Sequence, residues 1–201
     1  MTPGARIVLA SKSRSRAAVL AGAGVAFETE DSEVDEAALK AGLLAEGAGP
    51  RQVAERLGEA KALAVSARRP GDLVIGADQT LDLDGALYDK AADLAEARQH
   101  LAAMRGRGHA LHGGIVAAEG GEVVWRTTET SRLWMRRFSD AFLDGYLARG
   151  GEALLASVGC YQLEGEGAQL FERIEGDYFA ILGLPLLPLL AFLRDRGAVP
   201  T

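Results

Sequence analysis

Val74-Ile-Gly-Ala-Asp-Gln-Thr-Leu81 is a short apolar run that passes through two small residues to an acid. Val74 and Ile75 read as a buried strand, Gly76 and Ala77 leave space beside it, and Asp78 emerges where the strand ends. A carboxylate there can bind a metal or take a proton from water. A lone Gly-Ala-Asp is more often a strand-terminal acid that accepts backbone hydrogen bonds in a turn. Asp78 therefore gains meaning only from the residues that accompany it elsewhere in the chain.

Upstream, Pro50 opens a helix at a tolerated first-turn position, and Val53, Leu57, Ala60 and Ala64 repeat on it at helical spacing. Lys61 lies beside that stripe, where most lysines are solvated but a long stem can carry the ammonium to a site. Arg68-Arg-Pro-Gly71 then turns the chain into the Val74 strand. Downstream, Asp84-Gly85 predicts a hairpin turn inside Leu81 to Tyr88. Asp89-Lys90 follows, and Asp93 with Glu96 gives a capping-box spacing for a helix whose inner face is Leu94, Ala97, Leu101 and Met104. Arg105-Gly106 ends it.

At the N-terminal side, Ile7 to Ala10 reads as a strand, Ser11-Lys-Ser-Arg-Ser-Arg16 as a basic loop, and Ala17 to Gly24 as a helix closed by glycine. Such a unit points backbone N–H groups and a helix dipole at the loop, where Ser11, Ser13, Arg14 and Arg16 can bind phosphate oxygens. A Ser cap followed by a solvated basic first turn accounts for the segment about as well. The loop lacks the Walker pattern, and no Gly-x-Gly-x-x-Gly follows a strand. Glu28, Glu30, Asp31, Glu33, Asp35 and Glu36 make a dense acidic run, usually a solvated loop, although a hard cation needs only one or two such carboxylates with waters and phosphate. Ala37 to Leu44 reads as helix and Gly47-Ala-Gly49 as a break.

His109 to Ala118 and Val123 to Phe138 read as paired strands joined at Glu119-Gly-Gly-Glu122. His109 and His112 fall on opposite faces of the first, which argues against a shared metal. Arg126, Arg132, Arg136 and Arg137 with Trp125 and Trp134 read better as a solvated strand face than as an RNA-binding surface. Ser139 or Asp140 caps a helix ending before Gly150-Gly151. In Ser157 to Phe171 the glycines permit close backbone approach to a ligand, with Gln162 or Glu164 placed to bond a base edge, or serve only as bends in a strand. Arg173 to Leu184 predicts a turn and a buried strand, and Pro185 starts a last helix, Leu186 to Arg196.

The chain has 201 residues, 48% of them hydrophobic, with a net charge of −6 and one cysteine, Cys160. That is enough apolar material for a real core. The acidic balance argues against a nucleic-acid polymer or an anionic membrane as partner, so a polyanionic ligand must meet a local cation cluster or a metal. One cysteine excludes an intrachain disulfide and fits a reducing, cytoplasmic location. The Ile7 to Ala10 run is too brief for a signal-peptide core, and Leu182 to Leu193 is broken by Gly and two prolines. With no internal repeat and no flexible linker, the alternation of elements predicts a single α/β unit over residues 1–201, built on a central mixed sheet with two lobes around a cleft.

Four stretches, taken together, resemble the Maf family of nucleoside triphosphate pyrophosphatases, also called septum-formation inhibitors. They are Leu9-Ala-Ser-Lys-Ser-Arg-Ser-Arg16 with Leu20, Val74 to Gln79, Asp89-Lys90 before the capped helix ending Arg105-Gly106, and Gly165-Glu-Gly-Ala to Gly176-Asp-Tyr closing on Gly183-Leu-Pro185. Singly these are weak; in this order they cover nearly the whole chain. The resemblance implies a two-lobed α/β fold with a nucleotide-binding cleft, a homodimer, and metal-dependent hydrolysis of nucleoside triphosphates to monophosphate and pyrophosphate, removing non-standard or modified nucleotides. It implies Asp78 as general base, and Mg²⁺ or Mn²⁺ held by Asp78 and Glu36. Lys61 and Lys90 would stabilise the leaving pyrophosphate, and the Ser11 to Arg16 loop would cradle the phosphate tail.

Gln79 and Glu164 resemble the family's 7-methyl-GTP branch, whereas the dTTP and UTP branch has Thr after the Asp and Gln in the glycine stretch. Glu164 accepting from guanine's donor edge favours a purine. The chain departs from both branches at Arg14, where Pro is usual, and at Ser15, and Ala91 follows Lys90 where Pro is common. A non-catalytic nucleotide-binding regulator of cell division would need the cleft without the base. An inosine triphosphate pyrophosphatase would give the same products from a different nucleotide.

Overall fold

The computed structural model describes residues 6–200. In chain order the elements are β1 (Ile7–Ala10), α1 (Arg14–Gly22), β2 (Glu28–Thr29), α2 (Glu36–Ala45), α3 (Pro50–Arg68), β3 (Leu73–Leu83) and β4 (Ala86–Tyr88). They continue as α4 (Leu94–Met104), β5 (Gly108–Glu119), β6 (Glu122–Met135), α5 (Asp140–Gly150), β7 (Phe171–Glu175), α6 (Tyr178–Ile181) and α7 (Leu186–Asp195), with 3₁₀ turns at Gly151–Ala156 and Glu166–Leu170. The sheet is open and mixed, in the order β2-β1-β3-β5-β6-β7, with β4 paired to β3. The two edges of the central strand β3 are covered differently. One edge is antiparallel to β5 from Val74 to Asp82; the other is parallel to β1 only from Leu73 to Gly76, and is taken up again by β4 at Leu81. Residues 77 to 80 thus face an opening in the sheet, a place where α/β folds bind ligands.

Two apolar clusters divide the long strands between them. Ile7, Leu9, Leu73, Ile75, Ile115 and Ala117 pack with Leu20 of α1 and Leu189 and Leu193 of α7 at one end. Leu81, Leu83, Leu111, Leu133 and Met135 pack with Leu101, Met104, Leu143 and Tyr146 of α4 and α5 at the other. These are the two lobes, and the opening beside Asp78 lies between them.

Helix α3 lies directly on the backbone of β3 and β5 because three facing positions are glycine. A Cβ on Gly76 would stand 2.3 Å from the Gly58 carbonyl oxygen, and one on Gly114 would stand 2.6 Å from that of Ala54. No other residue permits so close an approach.

Several local expectations are revised. Asp78 is not at a strand end: β3 continues to Leu83, because β5 pairs with it without a break. Helix α1 begins at Arg14, since Ser13 caps it through Oγ to the Arg16 N–H, so Arg14 and Arg16 occupy a first helical turn and not a loop. The buried strand expected after Gly176 is the short helix α6, which Asp177 caps at Ala180 N–H, while β7 before it is largely exposed. Strand β6 stops at Met135, three residues short of Phe138. The glycine stretch forms 3₁₀ turns: Gly167 packs against the backbone of Gln162 and Gly159 against the ring of Tyr161, so these two serve the chain's own packing. Asp84 and Gly85, with φ of 54° and 86°, make the expected hairpin turn. Among the described residues no helix is long and apolar enough to cross a membrane.

Candidate active site

Side chains alternate along β3, so Gly76, Asp78 and Thr80 face α3 while Ala77 and Gln79 face the opposite layer. With Gly76 and Gly58 drawing the helix down, Lys61 of α3 points at Asp78, and its Nζ lies 2.6 Å from Asp78 Oδ1. The same ammonium is 2.9 Å from Oε1 of Glu36, the first residue of α2. Lys61 is nearly enclosed at 6% side-chain exposure. No hydrogen bond from the described residues reaches Asp78 Oδ2. Thr80 donates to the Pro50 carbonyl and so fixes the start of α3 against the same strand.

On the other face, the Gln79 amide donates to the Ala180 and Ile181 carbonyls of α6, at 2.9 and 3.2 Å. Arg16 is buried; its Nε donates to the Gly183 carbonyl at 2.9 Å and a terminal nitrogen to Ser11 Oγ at 3.1 Å. Burial pulls the guanidinium below its usual pKa, against the opposing pull of the Asp78 and Glu36 charges. No carboxylate pairs with Arg16 among the described residues, which leaves a desolvated cation aimed at the cleft, a costly arrangement that an anion would relieve.

All eleven residues singled out from the sequence line one cleft of about 1020 Å³. Asp78, Lys61 and Glu36 form a bonded cluster in it. Ser11, Ser13, Arg14 and Arg16 surround the α1 N-terminus, Arg14 exposed and Ser13 engaged in the cap. Lys90 is exposed and has no carboxylate partner among the described residues; Gln162 and Glu164 line the cleft, are exposed, and make no side-chain hydrogen bond among the described residues. The rest of the acidic run is otherwise committed. Arg6 and Arg69 take Glu28, Arg68 and Arg69 take Glu30, Lys12 takes Asp31, and Asp35 caps α2. Only Glu36 turns to Lys61.

Among the described residues no three His, Cys, Asp or Glu side chains converge as a metal site. The two carboxylates that meet at Lys61 Nζ are the pair that could hold one hard cation together with water and phosphate oxygens. His109 is buried against Tyr161, Nε2 to the hydroxyl at 2.8 Å, and burial lowers its pKa to about 4. His112 contacts Thr130 and Asp82.

Of the four arginines of β6 and its exit, two are engaged within the chain. Arg126 bonds Glu59, and Arg136 bonds the Gln169 carbonyl beneath Phe142. The sequence reading missed Lys40, which lines the cleft and pairs with Asp89. The available signal was its place four residues after Glu36, on the same helix face.

The chain matches known proteins over nearly its whole length. A nucleoside triphosphate pyrophosphatase of Caulobacter vibrioides is 58% identical over 193 residues, 96% of each chain. A 7-methyl-GTP pyrophosphatase of Rhizobium meliloti is 52% identical over 193 residues, 96% of this chain and 97% of the relative. Another protein of that name, from Mesorhizobium japonicum, is 51% identical over 194 residues, 96% and 98% of the two chains. A family model described as Maf-like protein matches residues 6–196, and with the Lys61–Asp78 pair set in a cation-lined cleft, this chain belongs to the Maf-like family.

Proposed function

We propose that the protein hydrolyses nucleoside triphosphates to the monophosphate and pyrophosphate. The observation that carries this reading is the Lys61–Asp78–Glu36 cluster at 2.6 and 2.9 Å, facing the same cleft as the buried guanidinium of Arg16, which has no carboxylate partner among the described residues. Lys61 holds Oδ1 of Asp78, and Oδ2 accepts a proton from water as the water oxygen bonds the α-phosphorus. The bond from that phosphorus to the bridging oxygen breaks, and pyrophosphate leaves with the electron pair. Arg16, the first-turn amides of α1, Ser11 and Ser13 receive the phosphate oxygens, and Lys61 and Lys90 offset the charge that builds on the leaving group. Asp78 and Glu36 would hold Mg²⁺ or Mn²⁺, which when bound neutralises phosphate charge.

Base choice falls to Gln162 and Glu164. A carboxylate at 164 suits guanine's donor edge, and suits still better a purine made cationic by methylation at the ring nitrogen. The reading is therefore one of clearing modified nucleotides. It includes the reducing cytoplasm, supported by the lone buried Cys160, and a homodimer, supported by the open outer edge of β7 with Ile174 exposed on it.

The test is pyrophosphate release from a panel of standard and methylated nucleoside triphosphates, with and without Mg²⁺ or Mn²⁺. Release that depends on metal and ranks the bases supports the reading. Absence of release from every nucleotide would leave a nucleotide-binding regulator in its place.

A further inference from the structure

Helix α2 carries no buried residue, yet it forms a wall of the cleft. It presents Glu36 and Lys40 one helical turn apart. Glu36 reaches the buried Lys61, while the Lys40 ammonium crosses to Asp89 in the segment between β4 and α4, next to Lys90. Lys40 is 24% exposed and Asp89 61% exposed, and an ion pair so open to solvent is weak.

The other cations of the cleft are differently placed. Lys61 already bonds two carboxylates, and Lys12, 78% exposed, pairs with Asp31. Lys90 has no carboxylate partner among the described residues, so Lys40, Asp89 and Lys90 together carry one net positive charge. A lysine on a four-carbon stem, set on a lightly packed helix, can change partners without disturbing either core. Phosphate oxygens outcompete a single solvated carboxylate for such an ammonium because they carry more charge and more acceptor sites.

We propose that Lys40 is a triphosphate-binding residue held in reserve by Asp89: when a nucleotide enters, its ammonium leaves Asp89 for the phosphate oxygens. The inference rests on the pyrophosphatase reading of the same cleft. It assigns Asp89 a restraining role, so the two members of one ion pair have opposite effects on binding.

The test measures dissociation constants for α,β-methylene-GTP, which cannot release pyrophosphate, on the full chain and on Lys40→Met, Lys40→Arg and Asp89→Asn, with thermal unfolding of each as a control. Loss of one charge-assisted bond is expected to weaken binding roughly tenfold in Lys40→Met, Lys40→Arg retains most of it, and Asp89→Asn binds as well as or better than the wild type. Wild-type affinity in Lys40→Met, or equal weakening in Lys40→Met and Asp89→Asn, overturns the inference; the second result would make the pair a strut. Wild-type protein that binds the analogue with this pattern but releases no pyrophosphate from GTP refutes the pyrophosphatase reading alone. Active wild-type protein with an unaffected Lys40→Met refutes the Lys40 inference alone.

Discussion

Lys61 Nζ bridges Asp78 Oδ1 and Glu36 Oε1, at 2.6 and 2.9 Å, so that one enclosed ammonium answers two carboxylates. The two ends of this cluster are not equivalent. Replacing Asp78 by Asn leaves Lys61 paired with Glu36 and strands no charge, whereas removing the ammonium leaves the nearly buried Asp78 carboxylate without its cation and facing the half-exposed one of Glu36.

Asp78→Asn is therefore expected to fold and to bind triphosphate, and to lose turnover by roughly 10²- to 10⁴-fold, the range of a positioned general base. Lys61→Met is expected to lose turnover and also to unfold at a clearly lower temperature than Asp78→Asn. Steady-state pyrophosphate release and calorimetry on both variants check this; turnover near wild type in Asp78→Asn would remove the base from Asp78.

Much of this was legible in the sequence where local chemistry decides. Asp84-Gly85 needs positive φ at both positions, and Asp93 caps α4 by accepting from Glu96 N–H. The Pro50 helix start also follows from local chemistry, but the α3 stripe does so only in part: Val53 and Leu57 are buried, Ala60 and Ala64 are only half-buried, and the inner face runs on through Lys61, Ala62 and Val65. What could not be read was set by partners distant in the chain. Strand β3 runs through Asp78 because β5, some 35 residues on, supplies a ladder to Gly114. Tyr178 to Ile181 is apolar enough for a strand but is turned into helix by the Asp177 cap. Local chemistry did not tell Glu36 from its acidic neighbours, and only the family resemblance picked it out; the structure gives the physical reason, since Arg68, Arg69 and Lys12 take most of the others.

Gly76→Ala tests the close approach that brings Lys61 to Asp78. The added Cβ would stand 2.3 Å from one backbone atom and 2.5 Å from another, neither of which can rotate away. A loss of about 3 kcal/mol, the upper end for overpacking, is expected in urea denaturation. Gly42→Ala in α2 meets nothing within 4 Å and is expected to stabilise by about 1 kcal/mol. Equal effects of the two changes would contradict the packing account.

His109 gives a pH dependence with a definite sign. Burial lowers its pKa from 6.5 to about 4, so between those values the unfolded chain binds a proton that the folded chain refuses. Its contribution is complete above pH 6.5 and is lost as pH falls towards 4, by ~3 kcal/mol for that interval. Unfolding free energies across that window should fall with decreasing pH, and His109→Phe should flatten the slope. An unchanged slope would mean that His109 titrates normally in the fold.

Glu164→Gln keeps the size of the side chain and removes its charge. With no hydrogen-bond or salt-bridge partner among the described residues to disturb, the substitution is expected to leave stability unchanged and to lower kcat/KM for a 7-methylated purine triphosphate roughly tenfold more than for its unmethylated counterpart. Parallel losses on both substrates would take Glu164 out of base selection.

Arg16→Lys separates charge from geometry at the α1 N-terminus. The guanidinium donates through Nε to Gly183 and through a terminal nitrogen to Ser11, leaving the rest of its fork for a ligand. An ammonium at that depth keeps the charge but cannot span both anchors while also meeting a phosphate. The expected result is a KM raised roughly 10- to 100-fold with kcat changed much less, because the lost contacts serve bound substrate and transition state alike. A fall confined to kcat would instead place Arg16 on charge that develops only as the phosphoanhydride breaks.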